Sequence, residues 1–421
     1  MRGPRKTYLL AMYLSVGLLT ACSATSSPLS PSSSPSGKPA ASPAPSGSVS
    51  APPTASSSDD SKPEDVRPPE INTATLLAVG DVMVHSPQLP AYYDAKSNTY
   101  DMSPWFERVA PIFMQADWVI ANLETPLAGA DLKYTGFPRF NAPAELADAL
   151  KGAGVQLVST ANNHSMDRGF TGIVRTLRNV RQAGLVPFGT SSSPEDAERL
   201  VIEERNGIKL GLLACTYGTN GIPVPEDKKY AVDLIDLPAI REHIHRLREA
   251  GADAVSVSLH FGTEYQRMPN EQQIAIAHDV VAAGADVVLG SHPHVVQPYD
   301  IIEVSAADSA DGEPHRGVVI YSLGNFISNQ SEEWQDVGLI FGIKLTKTTD
   351  ANGESRTEWD AISLTPTKVH MQRVNKKKYY TILPMEQSIK AHNNPKLTAQ
   401  DYTRMTKQLE SLNKHLQSLV K

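Results

Sequence analysis

From Thr73 onward the chain alternates two hydrophobic rhythms. Short, nearly continuous apolar runs rich in Val, Ile and Leu occupy 75–79, 117–121, 155–160, 209–214, 254–259, 287–289 and 317–322. Runs that skip the usual polar alternation predict strands covered on both faces of a sheet. Between them, 143–153, 172–183, 237–250 and 270–283 carry apolar residues at helical spacing. Strand and helix in turn predict an α/β layered fold. A last periodic stretch, 397–420, sets Leu409, Leu412, Leu416 and Leu419 near one face. It predicts an amphipathic helix that packs on the domain or makes a weak oligomer contact.

The first seventy residues have another pattern. Arg2, Arg5 and Lys6 precede an apolar stretch, 8–21, which ends Leu19-Thr20-Ala21-Cys22. A basic start and a short apolar core are the layout of a secretory signal. Small residues ahead of a cysteine resemble the lipobox of bacterial lipoproteins. That resemblance implies a signal peptide over 1–21 and a lipid on Cys22, anchoring the chain at the extracytoplasmic face of the cell membrane. Two acyl chains suffice for stable anchoring. Residues 22–70 are almost entirely Ser, Pro, Ala, Thr and Gly until acids appear near the end. Such a segment has too little apolar surface to offset ordering entropy, so a disordered stalk is expected. Cys215, the other cysteine, lies in an apolar run and reads as a small buried core residue.

Composition narrows the possibilities. Hydrophobic residues at 40% against 20% charged exclude a wholly disordered chain. The net charge of −7 argues against a dedicated nucleic-acid binder, which shows a basic face. No apolar run reaches the ~18–20 residues that span a bilayer. The basic run Lys376-Lys377-Lys378-Tyr379-Tyr380 reads as a solvated charge run, with contact to an anionic polymer or lipid headgroups as the alternative.

The polar segments at the ends of the apolar runs carry the chemistry. The first run leads into Gly80-Asp81-Val82-Met83-Val84-His85, the second into Asn122-Leu123-Glu124-Thr125-Pro126, and the third into Ala161-Asn162-Asn163-His164-Ser165-Met166-Asp167-Arg168-Gly169. Later runs lead into His260-Phe261-Gly262-Thr263-Glu264-Tyr265, Gly290-Ser291-His292-Pro293-His294 and Leu323-Gly324-Asn325-Phe326. In open α/β sheets the crevice outside the strand C-termini is where ligands bind. Carboxylates, an amide and imidazoles arriving there from separate loops point to a divalent metal site, of one ion or two. A carboxylate can bridge two ions, and neutral imidazole suits zinc, iron or manganese. His292 and His294 can serve two ions if alternate residues of an extended segment point apart. Each residue also has a plainer reading: Asp81 as a turn residue, Asn163 as a loop cap, His85 in local packing. Five of the 12 histidines fall inside these clusters, which favours the joint reading.

At these residues the sequence resembles the CapA (PgsA-type) poly-gamma-glutamate capsule synthesis proteins, over roughly 73–366. That family is similar to the calcineurin-like metallophosphoesterases, which implies a four-layer αββα sandwich with metals at one sheet edge. The resemblance implies a domain over 71–366 and an extension with an amphipathic helix over 367–421. Carried over, Asp81 binds a first metal, Glu124 bridges, and Asn163 binds a second. His260, His292 and His294 complete the shells. His164 faces substrate as acid or charge stabiliser, Asp167 and Arg168 orient it or hold an anionic group, and Glu264 binds substrate or acts as base. The phosphoesterase pattern Asp-x-His is replaced by Asp81 with His85 four positions on, and His85 is kept as a further metal-ligand candidate. The bridging position carries a longer Glu, and Gly-Ser-His-Pro-His replaces Gly-His-x-His. The implied function is synthesis, export or tethering of an anionic polymer such as poly-gamma-glutamate, with two ions of manganese, iron or zinc. A hydrolase of envelope phosphoesters or amides, and a non-catalytic polymer-binding subunit of a membrane synthase, are the alternatives.

Overall fold

Two β-sheets stack face to face, and helices cover both outer faces. The computed structural model describes residues 68–420. The expected signal peptide, the lipidation site Cys22 and nearly all of the expected stalk therefore lie outside the described residues.

The chain opens the first sheet with β1 (Glu70–Val82), β2 (Trp118–Leu123), β3 (Leu157–Ser159) and β4 (Val186–Phe188), each parallel to the last. Helices α1 (Glu145–Ala153) and α2 (Gly169–Gln182) make the crossovers after β2 and β3. The second sheet comes next as β5 (Val201–Arg205), β6 (Ile208–Thr216), β7 (Ala254–His260), β8 (Val287–Ser291), β9 (Tyr299–Val304) and β10 (His315–Ile320). Its spatial order is β9-β10-β8-β7-β6-β5. Helices α3 (Leu237–Glu249) and α4 (Glu271–Ala282) connect β6 to β7 and β7 to β8.

The chain then returns to the first sheet with β11 (Asn325–Ile327), β12 (Val337–Thr349), β13 (Ser355–Val374) and β14 (Lys377–Pro384). The order there is β14-β13-β12-β1-β2-β3-β4, with β11 also paired to β1. Two helices, α5 (Met385–Ala391) and α6 (Ala399–Leu416), end the described fold. None of the described helices is long and apolar enough to cross a membrane.

Period-two alternation sends neighbouring residues of one strand into different layers. Leu76, Ile120 and Leu157 of the first sheet meet Leu212, Leu289 and Ile320 of the second in the central core. Leu77, Val79 and Val119 face outward onto Leu146 and Leu150 of α1. Val255, Val257 and Val288 face outward onto Ile244, Leu247 and Val280 of α3 and α4. Both faces are apolar because both are covered, and the result is the four-layer αββα sandwich.

The last helix settles an open alternative. Tyr402, Met405, Leu412 and Leu416 of α6 are buried in the central core cluster, so the helix packs on its own domain. The preceding residues depart from expectation. Strand β13 runs through Pro366, so residues beyond the expected boundary share the first sheet. Asn375 and Lys376, at φ of 49° and 67°, form the two-residue turn into β14. The Lys376–Tyr380 run is thus a hairpin whose Lys376, Lys377 and Tyr379 are exposed, as the solvated reading expects, while its end turns inward. Tyr380 is buried, and Lys378 Nζ donates to Asn329 Oδ1 at 2.7 Å.

Between β10 and β11 the chain crosses from one sheet to the other. Leu323 N–H donates to Gly290 O and Asp81 N–H donates to Gly324 O, both at 3.0 Å. A Cβ on Gly80 would stand 1.9 Å from Gly324 O, and one on Gly290 1.9 Å from Tyr321 O. Only glycine admits this strap, which ties the two sheets together at the ends of β1 and β8.

Candidate metal centre

The strand ends bring the candidate ligands into two adjoining groups. Asp81 lies near the end of β1, Glu124 just past β2, His260 at the end of β7, and His292 and His294 just past β8. Asp81, Glu124 and His294 each place one ligand atom within 4.8 Å of the others, and Glu124, His260 and His292 do the same. Glu124 belongs to both groups. All five side chains are buried. Asn163 joins the second group, its Oδ1 3.1 Å from His260 Nε2.

The electrostatics of this cluster are one-sided. His294 Nδ1 lies 2.9 Å from Asp81 Oδ2, and Glu124 Oε1 lies 3.6 Å from His260 Nε2 and 3.8 Å from His294 Nε2. Among the described residues no lysine or arginine pairs with either carboxylate. Burial, then the neighbouring Asp81, raises the Glu124 carboxyl well above its usual range. Burial, then the adjacent imidazoles, lowers His260, and brings His292 to about 4. Neutral imidazole is the metal-ligating form. Glu124 Oε1 and His292 Nδ1 are buried with no hydrogen-bond partner. Unpaired lone pairs converging on one space fit divalent ions, which accept just such donors.

His292 and His294 are not on an extended segment. Their φ values are 101° and 58°, and this backbone, costly for a residue with a Cβ, aims the two rings into different groups. The two imidazoles do serve different groups, but a kink splays them.

The other candidates surround this cluster. His164 Nδ1 lies 2.7 Å from Asp167 Oδ2, and the same oxygen accepts Phe140 N–H at 2.6 Å. Phe140's ring meets His164 edge-on at 4.6 Å between centroids, which fixes the imidazole's rotation. Arg168 turns away from the cluster. It donates to Asp167 O at 3.0 Å and Arg139 O at 3.1 Å, and also to Thr135 Oγ1, clamping the 133–141 loop. Glu264 is exposed at the rim. His85 lies outside both ligand groups. Its ring stands 5.0 Å from Phe140, Asn329 N–H approaches its Nδ1 at 3.4 Å, and burial brings its pKa down to about 4.

Several functional side chains carried no assignment from sequence. Asn122 Nδ2 donates to Asp81 Oδ1 at 2.8 Å, and Ser159 Oγ donates to Asn122 Oδ1 at 3.1 Å. Ser291 Oγ lies 2.9 Å from His260 Nδ1, leaving Nε2 for the centre. Asn325 Nδ2 donates to His294 O at 3.2 Å. Asn122, Ser291 and Asn325 sit inside the strand-end clusters, and that position was their only signal. Tyr217 had none: its ring lies 4.7 Å from that of His292, yet β6 ends without a carboxylate or imidazole.

Residues 75–330 match the family described as bacterial capsule synthesis protein PGA_cap. The chain is 28% identical over 263 residues to the capsule biosynthesis protein CapA of Bacillus anthracis, covering 61% of this chain and 60% of that protein. It is 28% identical over 269 residues to the PGA biosynthesis protein CapA of Bacillus subtilis, covering 60% and 62%. It thus spans about three fifths of the length of these relatives. Among solved structures, the NAD nucleotidase NadN of Haemophilus influenzae aligns at a TM-score of 0.42 and 11% identity, over 81% of this chain and 56% of that one. A 5′-nucleotidase precursor of Thermus thermophilus aligns at 0.39 and 16%, over 70% and 54%.

Proposed function

The chain belongs to the bacterial capsule synthesis protein family PGA_cap, and from that premise we propose that it serves in making, exporting or tethering an anionic polymer such as poly-gamma-glutamate. The observation that carries this reading is the pair of buried three-ligand groups sharing Glu124. Asp81, Glu124 and His294 would hold one divalent ion, of manganese, iron or zinc; Glu124, His260 and His292, with Asn163 beside them, would hold the other. Such ions supply Lewis-acid polarisation and a local positive focus. In a chain of net charge −7, that focus gives a polyanion somewhere to dock. The Leu19–Cys22 pattern supports a lipid anchor at the outer face of the cell membrane, beside membrane synthase subunits, with the Ser/Pro-rich segment as the stalk.

A second reading, hydrolysis of an envelope phosphoester or amide, is favoured by His164 and Asp167. Asp167 accepts from Nδ1, so Nε2 is the nitrogen left to hold or give up a proton. Phe140 fixes the ring, and the 133–141 loop, clamped by Arg168, keeps Phe140 in place. A pre-oriented imidazole of this kind suits general acid catalysis or stabilisation of developing charge.

Both readings meet in one experiment on the full chain in detergent. Metal content by mass spectrometry is expected to give about two ions per chain, falling in Asp81→Ala and His292→Ala. Poly-gamma-glutamate is expected to bind the loaded protein and to leave when a chelator is added. No ion after reconstitution with manganese, iron or zinc sinks the metal centre, and binding indifferent to chelator sinks its role in docking. Shortening of the polymer or turnover of a phosphodiester, lost in His164→Gln, selects the hydrolase.

A further inference from the structure

A second cavity, of about 560 Å³, lies on the outer face of the second sheet, beneath the segment joining β6 to α3. Leu213 and Cys215 of β6, Val224, Leu234, Asp233 and His243 are among its lining residues. The volume falls within the roughly 300–1,000 Å³ of small-molecule sites, and most of the lining is apolar. Leu234 stands half exposed at 49%, so the apolar lining reaches solvent.

Asp233 is the anomaly. Its side chain lines the cavity half-buried and has no hydrogen-bonding or charged partner among the described residues; its partial burial pushes its pKa up to about 7. Two other charged residues line the cavity. Lys229 Nζ pairs with Glu226 at 2.5 Å, and the Asp236 carboxylate accepts Ala239 N–H at 3.0 Å to cap α3. His243 Nε2 is also buried without a partner. Burial lowers the His243 pKa and raises that of the Cys215 thiol, so both stay neutral. A carboxylate set among apolar walls offers a cation a stronger hold than one in open water.

We propose that this cavity binds a small organic ammonium compound, with its alkyl body against Leu213, Val224 and Leu234 and its charged head on Asp233. A neutral His243 can accept a further N–H from the same head. The cavity is separate from the metal centre but shares a wall with it: Gly218 lines the cavity, and the adjacent Tyr217 rests on His292.

The test is calorimetric titration of the full chain with hexylamine, 1-hexanol and hexanoate, which share one alkyl body and differ in the head. Hexylamine is expected to bind at least tenfold tighter than the alcohol, and hexanoate more weakly than either. In Asp233→Asn the amine is expected to fall tenfold or more, to the alcohol's level, while metal content stays as in wild type. Equal affinity for amine and alcohol in the wild-type protein overturns the proposal and needs no variant to fold. Unchanged amine binding in Asp233→Asn overturns it too. A parallel titration with Nα-acetyl-lysine methylamide tells a free amine from a lysine side chain, and tighter binding of either than of the alcohol supports the site.

Discussion

Beneath α6, Lys368 Nζ lies 2.5 Å from Asp336 Oδ2 and 2.9 Å from Gln408 Oε1, with Arg404 3.3 Å from the same carboxylate. At the strand ends, Asp81 and Glu124 face each other, imidazoles and amides but no lysine or arginine among the described residues, and Glu124 Oε1 and His292 Nδ1 have no hydrogen-bond partner. Both clusters are buried and rich in charge. The first closes on itself, because the chain supplies the cation. The second gathers acceptors and leaves the cation to come from outside. A closed cluster fastens one element to another; an open one is a site, held in place by neighbours such as Asn122 and Ser291 that bind no ligand themselves.

The contrast breaks most readily at its closed end. Lys368→Met leaves Asp336 buried with only Arg404 and Gln408, and a loss of about 3 kcal/mol is expected in urea unfolding. A loss under about 1 kcal/mol would mean that the closed cluster is not a fastening. His85, beside the open cluster, comes next. Its folded pKa of about 4 is below the ordinary 6.5, so between those values the unfolded chain binds more protons than the native one. Stability is therefore lost as pH falls from 6.5 towards 4. In metal-free protein, His85→Gln is expected to lose about 3 kcal/mol less than wild type over that range; parallel unfolding curves at about pH 7 and 4 that show no difference would contradict it.

The open cluster is tested by filling it. Manganese at a hundredfold its dissociation constant is expected to stabilise wild type by about 2.7 kcal/mol and to leave Asp81→Ala unmoved. Thermal unfolding with and without the ion reads this directly, and an equal shift in both would place the ion elsewhere. The smallest effect belongs to the helix that covers the closed pair. Thr398 accepts Asp401 N–H at 3.2 Å in a capping box, so Thr398→Ala is expected to cost about 1 kcal/mol without altering metal content.

The parts of this fold that sequence reveals are those where one local rule decides. The 287–289 run is Val-Val-Leu, apolar on both faces because helices and a second sheet cover both, and it reads as a strand from composition alone. Strand β13 does not. It is largely exposed along its first half, and Pro366 argues against an interior strand. In the structure β13's pairing with β14 begins only at Thr367, so Pro366 has a neighbour on one side and its missing N–H costs no ladder bond there. The metal-centre residues are legible in kind because carboxylates and imidazoles recur at strand ends. Their grouping is not legible, since it depends on a strap between sheets and on left-handed backbone at His292 and His294. The Asp336–Lys368 pair, 32 residues apart, has no local signature at all.

The strand order also sets a schedule for synthesis. β1 lies in the middle of the first sheet, but its antiparallel neighbour β12 begins only at Val337, after the whole second sheet has been made. A chain emerging at ~5–20 residues per second leaves one edge of β1 bare for about 13–51 s while the intervening segment appears. A bare edge rich in Leu, Ala and Val invites pairing with other chains. Whatever guards the nascent protein must cover that edge, and Asp81, the ligand that β1 carries, stays open until the last fifth of the chain comes home.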